Sequence, residues 1–316
     1  MITLEATGGK MDRTEQDAFL RYYNTARNPL THKGDYGRVF IIAGSEGMTG
    51  AAMLCAESAL RAGAGLVYLF APGKLLPVYE IGCREAVKIK VGDDSDAYFT
   101  ERHIRQIRET VTDGAVVLGP GLGRNPETVR FVHCLLAELS SAGVPVILDA
   151  DGLYACGLQA EPLSRYDIPL IITPHAAELA RLTGLELPYI NQNRARAAEE
   201  TARKTGAITV LKGSGTVIAA HFPGEAEEVR LRLNSTGNPG MATGGSGDVL
   251  AGILAGIIAS DPSASANDRA HLYELVRCGV YIHGLCGDIA AEKYGERAVK
   301  AGDLTEMLKE VFHYGT

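Results

Sequence analysis

The chain has no tryptophan, no excess of basic residues and no long apolar segment. Its 316 residues carry 31 Lys and Arg against 38 Asp and Glu, a net charge of −7. Without a basic stripe, nucleic acid is not expected as a partner. No apolar run reaches the ~18 residues of a membrane span, and the first residues lack the basic start and apolar core of a secretory signal. We therefore expect a cytoplasmic protein without membrane contact.

Two common site motifs are also missing. The six cysteines include no Cys-x-x-Cys pair, which argues against a structural zinc or redox site, and several lie in apolar segments, so we expect reduced, buried thiols. No G-x-x-x-x-G-K-[ST] sequence occurs, so a P-loop is excluded. A phosphate site in this chain would have to be built in another way.

Short apolar segments alternate with helical patterns along most of the chain. The segments are apolar throughout, which is typical of parallel strands covered on both faces. They comprise residues 38–43, 66–70, 115–118, 145–149, 170–173 and 208–211. Residues 216–220 and 229–233 flank a polar turn at 221–228 and predict an antiparallel hairpin at one edge. The predicted fold is a three-layer α/β/α structure with a mostly parallel sheet.

The helical patterns between and after these strands complete the predicted order. They cover residues 49–61, 128–141, 191–205, 248–259 and 269–294. A further helical pattern runs from Asp12 towards Pro29, before which a helix tends to stop. No linker divides the chain, so we predict an N-terminal helical extension, residues 1–31, followed by one domain, residues 32–316.

Glycine-rich or polar segments follow four of the predicted strands. They begin at Gly44, Gly119, Pro174 and Lys212. Ligands of open α/β sheets bind where the carboxyl ends of the strands meet. We therefore predict a ligand site at this edge of the sheet.

The sequence from Asn234 to Gly252 is NSTGNPGMATGGSGDVLAG. Glycine amides just before a helix can approach an anion closely, and the helix start adds unpaired N–H donors and partial positive charge. Asp248 falls in the first helical turn, where it could accept a proton from a hydroxyl that attacks a phosphoryl group. It could equally be a helix cap, since Asp is a preferred capping residue.

Three segments resemble the ribokinase-like superfamily. The Gly-rich turn before Asp248 is similar to the anion hole of those kinases. The sequence TPHAAELARLTG resembles their T-P-N-x-x-E motif, with Glu178 at the Glu that orders a magnesium-bound water and His175 in place of Asn. VLKGSGT resembles the loop that lies along the nucleotide, where Lys212 could meet a phosphate.

Further blocks resemble one family within that superfamily, the nucleotide-dependent NAD(P)H-hydrate dehydratases. They are HKGDYGRVFIIAGSEGMTGAA from His32, LGPGLGR at 118–124 and LDADGL at 148–153. His175 fits this branch as well. The resemblance extends from His32 to about Gly302. It implies repair of hydrated NADH or NADPH by phosphoryl transfer from ADP or ATP, with Mg²⁺, to the ring hydroxyl, followed by loss of phosphate.

The resemblance also implies which residues form the site. Asp248 is the expected catalytic residue, and the substrate is expected near Ala52, Gly121 and His175 as well. Glu178 is expected to contact the metal through water. The nucleotide is expected along two segments and at one further position. The first segment comprises Lys212, Gly213, Ser214, Gly215 and Thr216. The second comprises Gly244, Gly245, Ser246 and Gly247, and the single position is Asn238.

Assembly, partners and competing functions are further expectations. The family suggests a homo-oligomer, specifically a homotetramer, and an NAD(P)H-hydrate epimerase on a separate chain, because the residues before His32 are too few for an epimerase domain. A small-molecule kinase of the same fold, acting on a thiazole or hydroxymethylpyrimidine alcohol, could use the same aspartate and anion hole. A non-catalytic nucleotide-binding protein is the other alternative, although it would have no need of Asp248.

Overall fold

One nine-stranded sheet organises the molecule. The computed structural model describes residues 27–157, 163–223, 228–261, 263–264 and 268–313. Its strands are β1 (Arg38–Ile42), β2 (Leu66–Pro72), β3 (Val87–Val91), β4 (Ala115–Leu118), β5 (Val146–Leu148), β6 (Leu170–Ile172), β7 (Ile208–Leu211), β8 (Val217–Phe222) and β9 (Glu228–Leu233). Their order is β3-β2-β1-β4-β5-β6-β7-β8-β9. All pairs up to β7 are parallel, and β8 is antiparallel to both of its neighbours.

Eleven α-helices accompany the sheet within the described ranges. They are α1 (Thr49–Arg61), α2 (Leu76–Gly82), α3 (Ile104–Thr110), α4 (Pro126–Leu139), α5 (Asp151–Gly157), α6 (Ala176–Thr183), α7 (Leu187–Gln192), α8 (Arg194–Thr205), α9 (Ser246–Ser260), α10 (Arg269–Tyr294) and α11 (Ala301–His313). None of them is both long and apolar enough to cross a membrane.

The central strands, β1 and β4 to β7, are buried on both faces, as their continuous apolar sequences predict. In β1, Val39 and Ile41 pack with α1, α9, α10 and α11, whereas Phe40 and Ile42 pack on the opposite face with α3, α4 and α5. A third apolar cluster joins α6, α7 and α8 to β7 and β8. The three-layer prediction, with its antiparallel edge, is therefore confirmed.

Small residues bring α9 against α1 at the centre of one layer. A Cβ placed on Gly252 would lie 2.0 Å from the Ser58 Oγ and 2.3 Å from the Cys55 carbonyl oxygen. One turn further along, a Cβ on Gly256 would lie 2.5 Å from the Ala59 carbonyl oxygen. The backbones of the two helices therefore meet without intervening side chains, which fixes where α9 begins at the edge of the sheet.

The structure contains further helices that the sequence prediction did not list, such as α11, and it differs from that prediction in three other places. Strand β3 was not predicted, because its polar VKIKV sequence lies at the edge of the sheet. The helix predicted over 191–205 is broken at Asn193, whose φ of −130° and ψ of 47° are not helical. The turn predicted at 221–228 was too long, because His221 and Phe222 still pair with β9. The N-terminal helix prediction lies almost entirely outside the described residues and stays a prediction.

All six cysteines are free thiols, as expected from their spacing. Five are buried, and Cys134 is partly exposed. The thiol of Cys55 lies beneath the start of α9, where it donates to the Asp248 carbonyl oxygen at 3.1 Å. Burial raises the pKa of Cys55 well above its ordinary value, so this side chain is a neutral thiol that supports the helix.

The contact between α1 and α9 gives a stability prediction. Gly252→Ala should lower the free energy of unfolding by about 2 kcal/mol, since overpacking of a tight core costs about 1–3 kcal/mol and outweighs the helix propensity of alanine. Urea denaturation measures the change. Gly302→Ala in α11 is the matched control, because nothing lies within 4 Å of a Cβ there. Equal stability of the two variants would contradict the close packing of α9 on α1.

Candidate functional site

A buried ion pair joins two of the strand ends. Asp149 follows β5 and is 1% exposed, and Lys212 follows β7. The Lys212 Nζ donates to the Asp149 Oδ1 at 2.6 Å and lies 3.9 Å from the Glu178 Oε2. The neighbouring carboxylates raise the pKa of Lys212 and outweigh the opposing effect of burial, so the ammonium stays charged.

The start of α9 lies against this ion pair. A Cβ on Gly247 would be 3.2 Å from the Lys212 Nζ and 3.5 Å from the Asp149 Oδ2. Gly245, just before the helix, has a φ of +93°, a conformation that glycine adopts without strain. The helix N-terminus and the lysine therefore offer an anion two adjacent sources of positive potential.

Asp248 stands in the first turn of α9, where the sequence placed it. Burial raises the pKa of its carboxyl group to about 6, and the negative charges of Asp149 and Asp151 act in the same direction. Lys212 opposes the shift. A carboxylate with this pKa is mostly ionised at neutral pH and is basic enough to take a proton from a bound hydroxyl group.

His175 begins α6, where it caps the helix. Its Nδ1 accepts from the amides of Ala177 and Glu178, at 3.1 and 3.3 Å. The Glu178 Oε2 accepts from the His175 backbone amide at 2.8 Å, which completes a capping box. The imidazole itself is 55% exposed, and its Nε2 lies 3.4 Å from the Glu178 Oε1 while Nδ1 caps the helix.

Gly121 and Ala52, the other two residues predicted to lie near the substrate, differ in burial. Gly121 has a φ of +61°, and a Cβ on it would lie 3.0 Å from both the Ala51 Cβ and the Met48 carbonyl oxygen. Ala52 has no exposed surface and packs beneath Gly44. Gly121 is thus part of the surface, whereas Ala52 in this structure supports the loop above it.

The predicted nucleotide segments differ in how many contacts they make with the rest of the protein. The loop from Lys212 is a tight turn, in which the Thr216 Oγ1 donates to the Gly213 carbonyl at 3.0 Å. Nothing lies within 4 Å of a Cβ on Gly244, so that side of the glycine run is open. Asn238 holds its own loop, because its amide donates to the Asp288 Oδ1 at 2.9 Å and its Oδ1 accepts from the Gly240 amide.

Asp149, the most buried carboxylate of the site, was not identified as a site residue from the sequence. The motif LDADGL carried a family resemblance, but only the fold shows that Asp149 pairs with Lys212. Ala150, between two aspartates, has a φ of +50°, which is unusual for a residue with a side chain. Such strain is typical of functional sites.

Two residues far away in the sequence support the anion-binding elements. Arg194 donates to the carbonyl oxygens of Leu211 and Lys212, at 2.9 and 3.1 Å, and so holds the end of β7. The His283 Nε2 lies 2.9 Å from the Ser246 carbonyl oxygen. Burial lowers the pKa of His283 to about 4, so the imidazole is neutral there. No sequence pattern singles out these side chains.

The assembled geometry suits phosphoryl transfer. It combines a glycine-lined helix start, a lysine held at that start, and a carboxylate of raised pKa in the first helical turn. Among the described residues, no three His, Cys, Asp or Glu side chains group closely enough to hold a metal ion.

Comparison with known proteins decides the family. The family model described as NAD(P)H-hydrate dehydratase matches residues 39–310. This chain belongs to the NAD(P)H-hydrate dehydratase family. The family resemblance drawn from the motifs between His32 and Gly302 is thereby confirmed.

Individual relatives agree with the family assignment. The ADP-dependent (S)-NAD(P)H-hydrate dehydratase of Bacillus subtilis is 31% identical over 286 residues, which cover 90% of this chain and 92% of the relative. The bifunctional NAD(P)H-hydrate repair enzyme of Thermofilum pendens is 38% identical over 89% of this chain. The chain spans about half the length of that relative, 51%.

A solved family structure has the same fold. The ADP/ATP-dependent NAD(P)H-hydrate dehydratase from Bacillus subtilis, co-crystallised with ATP and Mg²⁺, superposes with a TM-score of 0.76 at 28% identity. The match covers 95% of this chain and 97% of the other. A ribokinase-like superfamily protein from Enterococcus faecalis superposes with a TM-score of 0.76 at 26% identity over 95% of both chains. The ribokinase-like class predicted from the sequence is therefore confirmed.

The raised pKa of Asp248 gives a prediction for stability against pH. The folded pKa of about 6 exceeds the ordinary value of 3.8, so the folded state binds an extra proton between these values. Stability from this group therefore rises as the pH falls through about 6, and above it the ionised carboxylate costs up to about 3 kcal/mol. Asp248→Asn should stabilise the protein at pH 8, and its advantage should shrink towards pH 4.

Urea denaturation at both pH values measures this difference. Asp94→Asn is the control, because Asp94 is 89% exposed and pairs with Lys90 at the surface. Its effect should be small and should vary much less between the two pH values. The same advantage for Asp248→Asn at pH 8 and at pH 4 would contradict a raised pKa in the folded state.

Proposed function

We propose that this protein dehydrates hydrated NADH and NADPH back to the reduced dinucleotides, using an adenine nucleotide as phosphoryl donor. The observation that carries the proposal is the partly buried Asp248 carboxylate at the start of α9, beside the glycine turn and the Lys212–Asp149 ion pair. Family membership supplies the substrate class. ADP is the proposed donor, as the name of the Bacillus subtilis relative states for that protein.

The proposed reaction has two steps. Asp248 takes the proton of the C6 hydroxyl group while the hydroxyl oxygen attacks the terminal phosphorus of the nucleotide. The bond from this phosphorus to the bridging oxygen breaks, and AMP leaves when ADP is the donor. The ring nitrogen then expels phosphate from C6 with its electron pair. Loss of a proton from C5 restores the double bond. The net change converts the hydrate and ADP into the reduced dinucleotide, AMP and phosphate, and the oxygen of the ring hydroxyl leaves in the phosphate.

The anion hole would stabilise the charge that develops during transfer. The amides at Gly245, Ser246 and Gly247 would face the transferring phosphoryl group, and Lys212 would contact a phosphate oxygen. Asn238 and the loop from Lys212 to Thr216 are proposed to flank the nucleotide. Arg194 and His283 would act indirectly, because their hydrogen bonds fix the end of β7 and the start of α9.

Magnesium is proposed to enter with the nucleotide. The residues fit an ion bound mainly by phosphate oxygens and water, because the carboxylates of Asp149 and Glu178 already share the Lys212 ammonium. Glu178 could hold one of the metal's waters. The ion would neutralise phosphate charge when bound.

The hydrated nicotinamide ring is proposed to lie between Gly121 and His175. Gly121 is partly exposed, and its lack of a side chain lets this loop pack closely against Ala51 and Met48. The imidazole of His175 is 55% exposed and would present its Nε2, beside Glu178, to the ring. Ala52 would contribute through the packing beneath this surface. The alternative, a kinase acting on a small alcohol, is less supported by the family match, and it predicts a stable phosphorylated product instead of free phosphate.

The cellular setting follows from the family resemblance. We propose that the protein works in the cytoplasm as a homotetramer and receives its substrate epimer from an NAD(P)H-hydrate epimerase on a separate chain. The Bacillus subtilis relative, which this chain matches over 92% of its length, carries a dehydratase name alone. The longer relatives are named as bifunctional repair enzymes.

The role of Asp248 can be tested with Asp248→Asn. Asparagine keeps the size and capping ability of the residue but cannot accept the proton, so turnover of NADH hydrate should fall by about 10²–10⁴-fold. The return of reduced-nicotinamide absorbance measures turnover, and calorimetry measures ADP affinity, which should persist. In the wild-type protein the rate should fall below about pH 6, as Asp248 becomes protonated. Near-normal turnover by a folded Asp248→Asn variant would remove Asp248 from the mechanism.

Two substitutions separate the capping role of His175 from its proposed contact with substrate. His175→Asn keeps a good helix cap, whereas His175→Ala should lose about 1 kcal/mol of stability with the cap. Both variants should raise the KM for NADH hydrate while leaving the KM for ADP nearly unchanged. Steady-state kinetics and urea denaturation of the same preparations give both quantities. A normal hydrate KM in His175→Asn would reduce His175 to a capping residue.

A further inference from the structure

An aromatic ring with two guanidinium groups lies beside the proposed substrate surface. The Arg124 Cζ is 4.4 Å from the centroid of the Tyr154 ring, and the Arg181 Cζ is 4.6 Å from the same centroid. Both arginines are exposed, and the tyrosine is partly buried. We call Arg124, Tyr154 and Arg181 the arginine cluster.

One carboxylate, Asp151, forms an ion pair with the first of these two arginines. The Asp151 Oδ1 accepts from the Arg124 Nε at 2.9 Å, and its Oδ2 accepts from the Gly123 amide at 2.9 Å. Asp151 is thereby fully used in anchoring Arg124. Within the described residues, Arg181 forms no ion pair, and its aliphatic stem packs against Gly157. Glu178, one turn before Arg181, is engaged with the His175 amide and Lys212.

The sheet order places the cluster on the substrate side of the site. Arg124 follows β4, Tyr154 follows β5 and Arg181 follows β6, and these three strands are neighbours. Gly121 and His175, the proposed contacts of the nicotinamide ring, follow β4 and β6. The proposed nucleotide loop instead follows β7 and leads to the antiparallel edge.

From this placement we propose that the arginine cluster binds the pyrophosphate of the hydrated nicotinamide dinucleotide, a proposal that rests on the proposed function. Guanidinium groups match phosphate oxygens with paired N–H donors. Only Arg124 of the two arginines is paired with a carboxylate in the part of the chain that the structure describes, so the charge of Arg181 is left to attract the negatively charged pyrophosphate. Asp151 is the positioning residue, since it fixes Arg124 at the end of the same loop that carries Gly121. The cluster therefore selects substrates with phosphate groups attached to the ring's ribose.

Arg181→Gln tests this assignment, because Arg181 can be removed without leaving a carboxylate unpaired. The variant should weaken NADH binding, measured by NADH fluorescence, and raise the KM for NADH hydrate, each by about tenfold, the size of one charge-assisted contact. Its affinity for ADP and its kcat should stay as in the wild type. Arg181→Lys keeps the charge and should recover part of the loss.

Arg105→Gln is the matched control, since Arg105 is 88% exposed and pairs with Glu109 on α3, away from the strand ends. It should leave both ligands unaffected. If Arg181→Gln weakened ADP binding instead of NADH binding, the cluster would belong to the donor, and the proposal would be overturned. Unchanged binding of both ligands would overturn it as well.

The two proposals fail in distinguishable ways. A wild-type protein that binds NADH, loses that binding in Arg181→Gln, and yet never converts NADH hydrate would refute the proposed dehydration and support the phosphate subsite. A wild-type protein that converts the hydrate, with an Arg181→Gln variant of normal hydrate KM, would refute the subsite alone.

Discussion

The ion pair between Lys212 and Asp149 is the contact on which the rest of the site depends. Three further acidic side chains lie in the same small region, at positions 151, 178 and 248. Lys212 lies among Asp149, Glu178 and Asp248, whereas Arg124 pairs with Asp151. Buried like charges repel strongly unless a cation lies between them. Because Asp149 is nearly inaccessible, it holds the Lys212 ammonium in place at the start of α9. Burial, together with the negative charges of Asp149 and Asp151, raises the pKa of Asp248.

Two features of the fold bring the site residues together. Parallel strands end at a common edge, so residues distant in sequence, such as Asp149 and Lys212, become neighbours. The glycines of α9 then allow that helix to pack directly on α1, and this contact fixes where the helix begins. The packing of α9 on α1 therefore contributes to the stability of the core and also places the first turn of α9 near the strand ends.

Local patterns predicted most of this architecture. Continuous apolar segments identified the buried strands from β1 to β7 apart from β3, and the glycine turn identified the start of α9. Edge strand β3 was missed because its lysines remove the apolar signal. Within the site, His175, Lys212 and Asp248 stood next to recognisable turns. Asp149, Arg194 and His283 did not, because their roles consist of contacts across the fold that have no local signature.

Ala150 joins two neighbouring aspartates that serve different partners. Its left-handed conformation turns Asp149 towards Lys212 and Asp151 towards Arg124. One strained peptide unit thus stands between the carboxylate that holds the anion-binding lysine and the carboxylate that anchors the arginine cluster. The end of β5 therefore also fixes the spacing between Lys212 and Arg124, because each of these cations is held by one of the two adjacent carboxylates.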